Sequence, residues 1–117
     1  MSQRSRQVAE ELRKIISMVL LEDLHDPGLG FVTITRVRLT DDLRCARVFY
    51  SVLGDAGQQK ITAEALADNL PFIRKLTVER INMRYAVEIK FEPDPSINEN
   101  FRIDEILKKI RKEKGDE

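Results

Sequence analysis

The chain has 117 residues, and its twenty Lys and Arg are matched by twenty Asp and Glu, for a formal net charge of zero. A chain of this length suits one compact domain, because it already buries roughly two thirds of its unfolded surface in a single core. The balanced charge excludes a polycation that holds nucleic acid by bulk charge, and no apolar run approaches the ~20 residues of a membrane span.

Met1 to Arg4 lead straight into a helical pattern without an apolar signal region, and the single Cys45 has no second cysteine to pair with. Both features lead to the expectation of a soluble, cytoplasmic protein. From about Ser5 to Leu24, Val8, Leu12, Ile15 and Val19 recur at the spacing of one helical face, with Ile16 and Leu20 widening it. His25-Asp26-Pro27-Gly28 stops that helix, since proline lacks the N–H that continues the ladder.

Phe31 to Leu39 is rich in Val, Ile, Thr and Phe and reads as a strand. Val32 and Ile34 fall on one phase and Val37 and Leu39 on the other, which predicts a bulge or twist near Thr35 that re-aims Arg36 and Arg38. After the turn Thr40-Asp41-Asp42-Leu43, Arg44 to Leu53 alternates cleanly. Ala46, Val48, Tyr50 and Val52 take one face, and Cys45, Arg47, Phe49 and Ser51 the other. The two strands should form an antiparallel hairpin.

Gly54 and Gly57 punctuate the chain before a helix of good formers from about Gln59 to Asn69. Pro71 fits the first position of a second helix, in which Phe72, Ile73, Leu76 and Ile81 resume the rhythm, so a bend is expected at Asn69-Leu70-Pro71. Val87, Ile89 and Phe91 alternate with Glu88, Lys90 and Glu92 as a third strand. Ser96 and Glu99 have capping-box spacing ahead of a last helix carrying Ile103, Ile106, Leu107 and Ile110. The order implies an α+β domain, αββααβ plus a C-terminal helix: a three-stranded sheet with helices packed on one face and the other face free to bind. One domain is expected over 1–112, with a short charged, frayed tail at 113–117.

Catalytic parts are scarce. His25 and Cys45 are the only residues of their kinds, one in a turn and one in a strand, so no zinc-ligand spacing exists and a Cys–His pair is disfavoured. Asp41-Asp42 sits in a hairpin turn, where aspartate commonly accepts from local backbone N–H groups. The glycine pairs Gly28/Gly30 and Gly54/Gly57 lack the lysine of a phosphate loop. The expectation is no enzyme, no cofactor and no metal.

Charge is unevenly spread despite its balance. Arg4, Arg6, Arg13 and Lys14 open the chain, Arg36, Arg38, Arg44 and Arg47 cluster mid-chain, and Arg74, Lys75, Arg80 and Arg84 form a third basic stretch. Acids gather between Glu22 and Asp26 and between Glu92 and Glu105. Such asymmetry creates a directed binding face, and phosphate contacts by basic side chains dominate affinity for nucleic acid. Strand, helix, bend, helix, strand is also the order of a KH module, in which a loop between two helices clamps single-stranded RNA.

Several local motifs in this order are similar to the ribosome-binding factor A family across nearly the whole chain. They are Arg4-x-Arg6-x-Val8-Ala9-Glu10, Asp26-Pro27-x-Leu29-Gly30-Phe31-Val32-Thr33, Asp42-Leu43-Arg44-x-Ala46-x-Val48, Ser51-Val52-Leu53-Gly54, Phe72-Ile73-Arg74, Arg84-Tyr85 and Arg102-Ile103-Asp104. The resemblance implies a KH-like fold of the bacterial type (type II), a cytoplasmic protein with no enzymatic activity or cofactor, and binding to the 30S subunit during late processing of 16S rRNA, at the 5′-terminal helix region and the neck. One departure matters. The family bends at Ala-x-Gly, whereas this chain has Asn69-Leu70-Pro71, and proline fixes a torsion and removes a donor where glycine would permit close backbone approach. RNA contacts are therefore expected from side chains: Arg74, Lys75, Arg80 and Arg84, supported by Arg4, Arg6, Arg36 and Arg44. A monomer suffices for this reading. The alternative is a KH-like protein-interaction module that binds a protein partner and little RNA.

Overall fold

The computed structural model describes residues 2–82 and 86–95. Helix α1 (Gln3–Met18) begins earlier than its apolar rhythm predicts, because Ser2 caps it: the Ser2 hydroxyl oxygen accepts from the Ser5 N–H at 3.1 Å. Its last turn widens into a π turn over Val19–Asp23, where the Leu24 N–H donates to the Val19 carbonyl five residues back at 3.0 Å. The chain then turns at Asp26, whose carboxylate accepts from the Gly28 N–H at 2.9 Å, and passes through a single 3₁₀ turn, Pro27–Leu29.

Strands β1 (Val32–Leu39) and β2 (Cys45–Val52) form the expected antiparallel hairpin. The register steps from Ile34 opposite Tyr50 to Arg36 opposite Phe49, so Thr35 is the extra residue of a β-bulge. On this register Ile34 and Val37 both lie in the core while Arg36 and Arg38 stay outside. Leu43 closes the hairpin turn at φ 63°, one of two non-glycine residues in the left-handed region among those described.

Helix α2 (Ala56–Asp68) also starts ahead of its predicted boundary, capped by Asp55, which accepts from the Gln58 N–H at 2.9 Å. Asn69 alone separates it from α3 (Leu70–Ile81), with Pro71 at its second position, one later than expected, where the N–H it lacks would still have no partner within the helix. Strand β3 (Glu88–Pro93) adds parallel to β2, so the sheet runs β1-β2-β3 with β2 central. Pro93 is tolerated as the last residue of an edge strand, where its missing N–H breaks no ladder bond.

The three helices pack on one face of the sheet. Leu12 and Ile16 of α1, Leu66 of α2 and Ile73 of α3 meet Val48 and Ile89 of the sheet in one cluster, all essentially excluded from water. Each such side chain contributes roughly 1.5–3 kcal/mol by leaving water. The Thr62 hydroxyl donates to the Leu29 carbonyl at 3.1 Å, fastening α2 to the 3₁₀ turn. The fold is thus α+β and KH-like, in the order read from the sequence. Among the described residues no helix is long and apolar enough to cross a membrane. The expected C-terminal helix, with its Ser96–Glu99 cap and the tail at 113–117, lies outside the described residues, as does Arg84.

Candidate nucleic-acid interface

The basic residues picked from the sequence divide between two sides of the domain. Arg4 and Arg6 are exposed in the first turn of α1, and Arg74 and Lys75 are exposed on α3. All four belong to the helical layer and carry no partner among the described residues. Arg44 follows the hairpin turn, beside the start of α1, since the Ser2 N–H donates to Asp41 at 3.1 Å. Its own N–H donates to the Asp42 carboxylate at 3.1 Å, which also accepts from the Thr40 hydroxyl at 2.6 Å. These bonds, the Thr40 hydroxyl foremost, hold the Asp42 carboxyl below its ordinary value, and they give Asp42 the turn-building role expected of it.

Arg80 is occupied differently. Its guanidinium donates twice to Asp23 of the π turn, at 2.8 and 3.0 Å. The paired hydrogen bonds hold the Asp23 carboxyl down and push Arg80 up, so Arg80 ties the end of α3 to the end of α1.

Arg36 lies on the opposite side, on the outer face of the sheet. Its guanidinium sits 4.3 Å from the centre of the Phe49 ring and 3.8 Å from the Asp94 carboxylate. Arg47 flanks the same ring at 5.2 Å and donates to Glu92 at 2.6 and 3.3 Å, which raises Arg47 and lowers Glu92. Phe49 is only 2% exposed, although Arg47 on the same strand face is exposed and Cys45 and Ser51 are half-buried. Arg38, Arg47 and Lys90 stand in register across the three strands. Arg38 and Arg47 were visible as a basic group, but the part of Lys90 was not. Its alternation shows an outward position, and only the parallel pairing of β3 with β2 brings it beside Arg47.

At the helix junction, Asn69 takes the place of a glycine-rich loop. Its side-chain amide donates to Asp26 at 2.9 Å and to the Ala65 carbonyl at 2.8 Å. Asp26 thus holds the Gly28 turn with one oxygen and the α2–α3 junction with the other. The junction is pinned by side chains and offers no glycine for backbone approach to a ligand.

Cys45 lies by the hairpin turn next to the start of α1, and His25 follows the far end of that helix. The sixteen residues of α1 rise about 24 Å, so the two are not a pair. Among the described residues no group of three or more His, Cys, Asp or Glu is placed to hold a metal ion.

A family model described as ribosome-binding factor A matches residues 4–107. A ribosome-binding factor A from Halothermothrix orenii is 43% identical over 111 residues, covering 95% of this chain and 91% of that protein. Among solved structures, a Thermotoga maritima protein in solution superposes with a TM-score of 0.70 at 34% identity, covering 80% of this chain and 90% of that one. A homology model of Thermus thermophilus ribosome-binding factor A, fitted into the cryo-EM map of a complex of that protein with the 30S subunit, has a TM-score of 0.62 at 21% identity. It covers 75% of this chain and 92% of that one, and shares the fold.

Proposed function

The chain belongs to the ribosome-binding factor A family, and from that premise we propose that it binds the small ribosomal subunit and assists late maturation of 16S rRNA by contact alone, without catalysing a reaction. The observation that carries the reading is the family match over nearly the whole chain. Exposed cations without partners on the helical layer, Arg4, Arg6, Arg74 and Lys75, support it. The relative fitted into a complex with the 30S subunit supports the same partner for this chain.

On this reading the protein works as a cytoplasmic monomer, one domain over 1–112 with a short charged tail. It needs no cofactor and engages 16S rRNA near the 5′-terminal helix region and the neck. Holding an immature conformer requires only that the protein bind it better than the mature one. The phosphate contacts fall to Arg4, Arg6, Arg44, Arg74, Lys75 and Arg84, with Arg36 on the sheet. Arg80 joins them where a phosphate displaces Asp23, with which it pairs in the free protein.

A second reading rests on a different observation. Phe31, Leu53 and Leu21 are 79%, 75% and 77% exposed, with Phe31 and Leu53 joined by a backbone hydrogen bond at the open end of the hairpin. An apolar tip of this kind suits a protein partner. Co-sedimentation with immature 30S particles, mature 30S subunits and 50S subunits across a salt series separates the two. Selective binding to 30S material that weakens steeply with salt supports RNA contact, with a slope of about −0.7 per neutralised single-strand phosphate. A nearly flat salt response favours the protein partner, and no binding to any particle refutes the proposal.

A further inference from the structure

Three cations form a row across the outer face of the sheet. Arg38 of β1 stands opposite Arg47 of β2, and Arg47 stands beside Lys90 of β3. Neighbouring strands are about 4.8 Å apart, so the row spans roughly 10 Å. Like charges directly opposite one another cost stability, and a face required only to be soluble is better served by alternating signs. Glu88 and Glu92 of β3 share the face, as does Asp94 just beyond the strand, 3.8 Å from Arg36. Glu92 is held by Arg47 through two hydrogen bonds, and Glu88 is in register with Cys45, one row away. Neither Arg38 nor Lys90 has a hydrogen bond or ion pair among the described residues.

The neighbouring row adds an aromatic platform. The guanidinium groups of Arg36 and Arg47 lie 4.3 and 5.2 Å from the centre of the Phe49 ring, a cation–π contact that restrains two long side chains. A shallow open depression lined by Arg38, Leu39, Thr40, Asp41, Cys45 and Arg47 lies beside the cationic row. Guanidinium planes stack on unpaired bases, and a line of long cationic side chains tracks the phosphates of a single strand.

We infer that the outer sheet face is a second RNA-contact surface, on which Arg38, Arg47 and Lys90 take a run of phosphates and Arg36, laid on Phe49, stacks against a base. The inference rests on the RNA-binding reading above. It adds that one molecule engages RNA on both its helical layer and the opposite face of its sheet. An assembly factor with two such faces holds two stretches of RNA at a fixed separation.

The test compares R38A/K90A on the sheet with R74A/K75A on the helices. Each is measured for binding to immature 30S particles and to an oligouridylate of about 12 nucleotides, between about 50 and 200 mM salt. Losing two phosphate contacts lowers the log–log salt slope by about 1.4, so over this fourfold range R38A/K90A loses about sevenfold less affinity than the wild type. Its thermal midpoint is expected to stay level or rise, because the substitution removes like charges facing one another. R38Q/K90Q, which keeps most of the side-chain bulk, is expected to show the same binding defect. Wild-type affinity and slope in both sheet variants, with R74A/K75A weakened, overturn the sheet face while leaving the RNA reading intact. A wild type that binds neither probe overturns both.

Discussion

Thr35, the extra residue of β1, reaches across the sheet to the end of β3. Its hydroxyl donates to the Asp94 carboxylate at 2.5 Å, with the Phe49 carbonyl at 3.2 Å, and a hydroxyl has one proton to give. The charged acceptor takes it. Asp94 is 6% exposed, its N–H donates to the Tyr50 carbonyl at 2.9 Å, and Arg36 stands 3.8 Å from its carboxylate. T35V keeps the β-branched shape and removes only the donor. A charge-assisted hydrogen bond contributes about 1.5–3 kcal/mol, and the half-exposed Arg36 remains to compensate, so a loss of about 1.5 kcal/mol is expected. For a domain of this size that lowers the melting midpoint by roughly 6 °C. Urea unfolding of the wild type, T35V, D94N and T35V/D94N closes a double-mutant cycle, in which the pair should be coupled by about 1 kcal/mol. Additivity within about 0.3 kcal/mol would show that the hydroxyl and the carboxylate do not support each other, and the reasoning fails.

Two further outcomes are expected. The carboxyls of Asp23 and Glu92, held below their ordinary values of 3.8 and 4.5 by Arg80 and Arg47, contribute stability that is fully present above those values and is lost as pH falls through the lower folded ones. Urea midpoints followed from pH 5 to pH 2 should therefore fall less in R47A/R80A than in the wild type, with the difference shrinking in high salt because both pairs are solvent-screened. Gly30 has φ 58°, and a Cβ there would come 2.7 Å from the Gln58 amide nitrogen, which donates to Thr62. G30A should cost about 1–3 kcal/mol in the same urea assay from backbone strain and the displaced amide.

The elements were readable because their signals are local. The phase break between Ile34 and Val37 located the bulge at Thr35, and the alternation of Ala46, Val48 and Tyr50 named the core face of β2. Helix starts came out late, since the apolar rhythm begins after the caps. Ser2 and Asp55 lie ahead of the first buried residue of their helices and add a turn that the rhythm does not register. What alternation does not carry is which strands are neighbours. That β3 runs parallel beside β2 is a tertiary fact, and it turns Lys90 from a solvated side chain into the third member of a row. Arg80 is the converse case. In sequence it resembles Arg74 and Lys75, and only the fold brings it to Asp23, 57 residues away, which gives it a carboxylate partner that those two lack.

The bulge has one more consequence. With Thr35 taken out, Ile34, Arg36, Val37, Arg38 and Leu39 would alternate perfectly, and each side chain would keep the face it has now. Topology therefore does not require this residue, and its presence interrupts the ladder. What it supplies is a stronger local twist and a hydroxyl aimed at the far strand, so a single spare position links the first strand to the last across the one between them. Shortening the strand by that one residue leaves the alternation of faces unchanged and removes the hydroxyl's tie between the sheet's two edges, leaving only the longer Arg36–Asp94 pair.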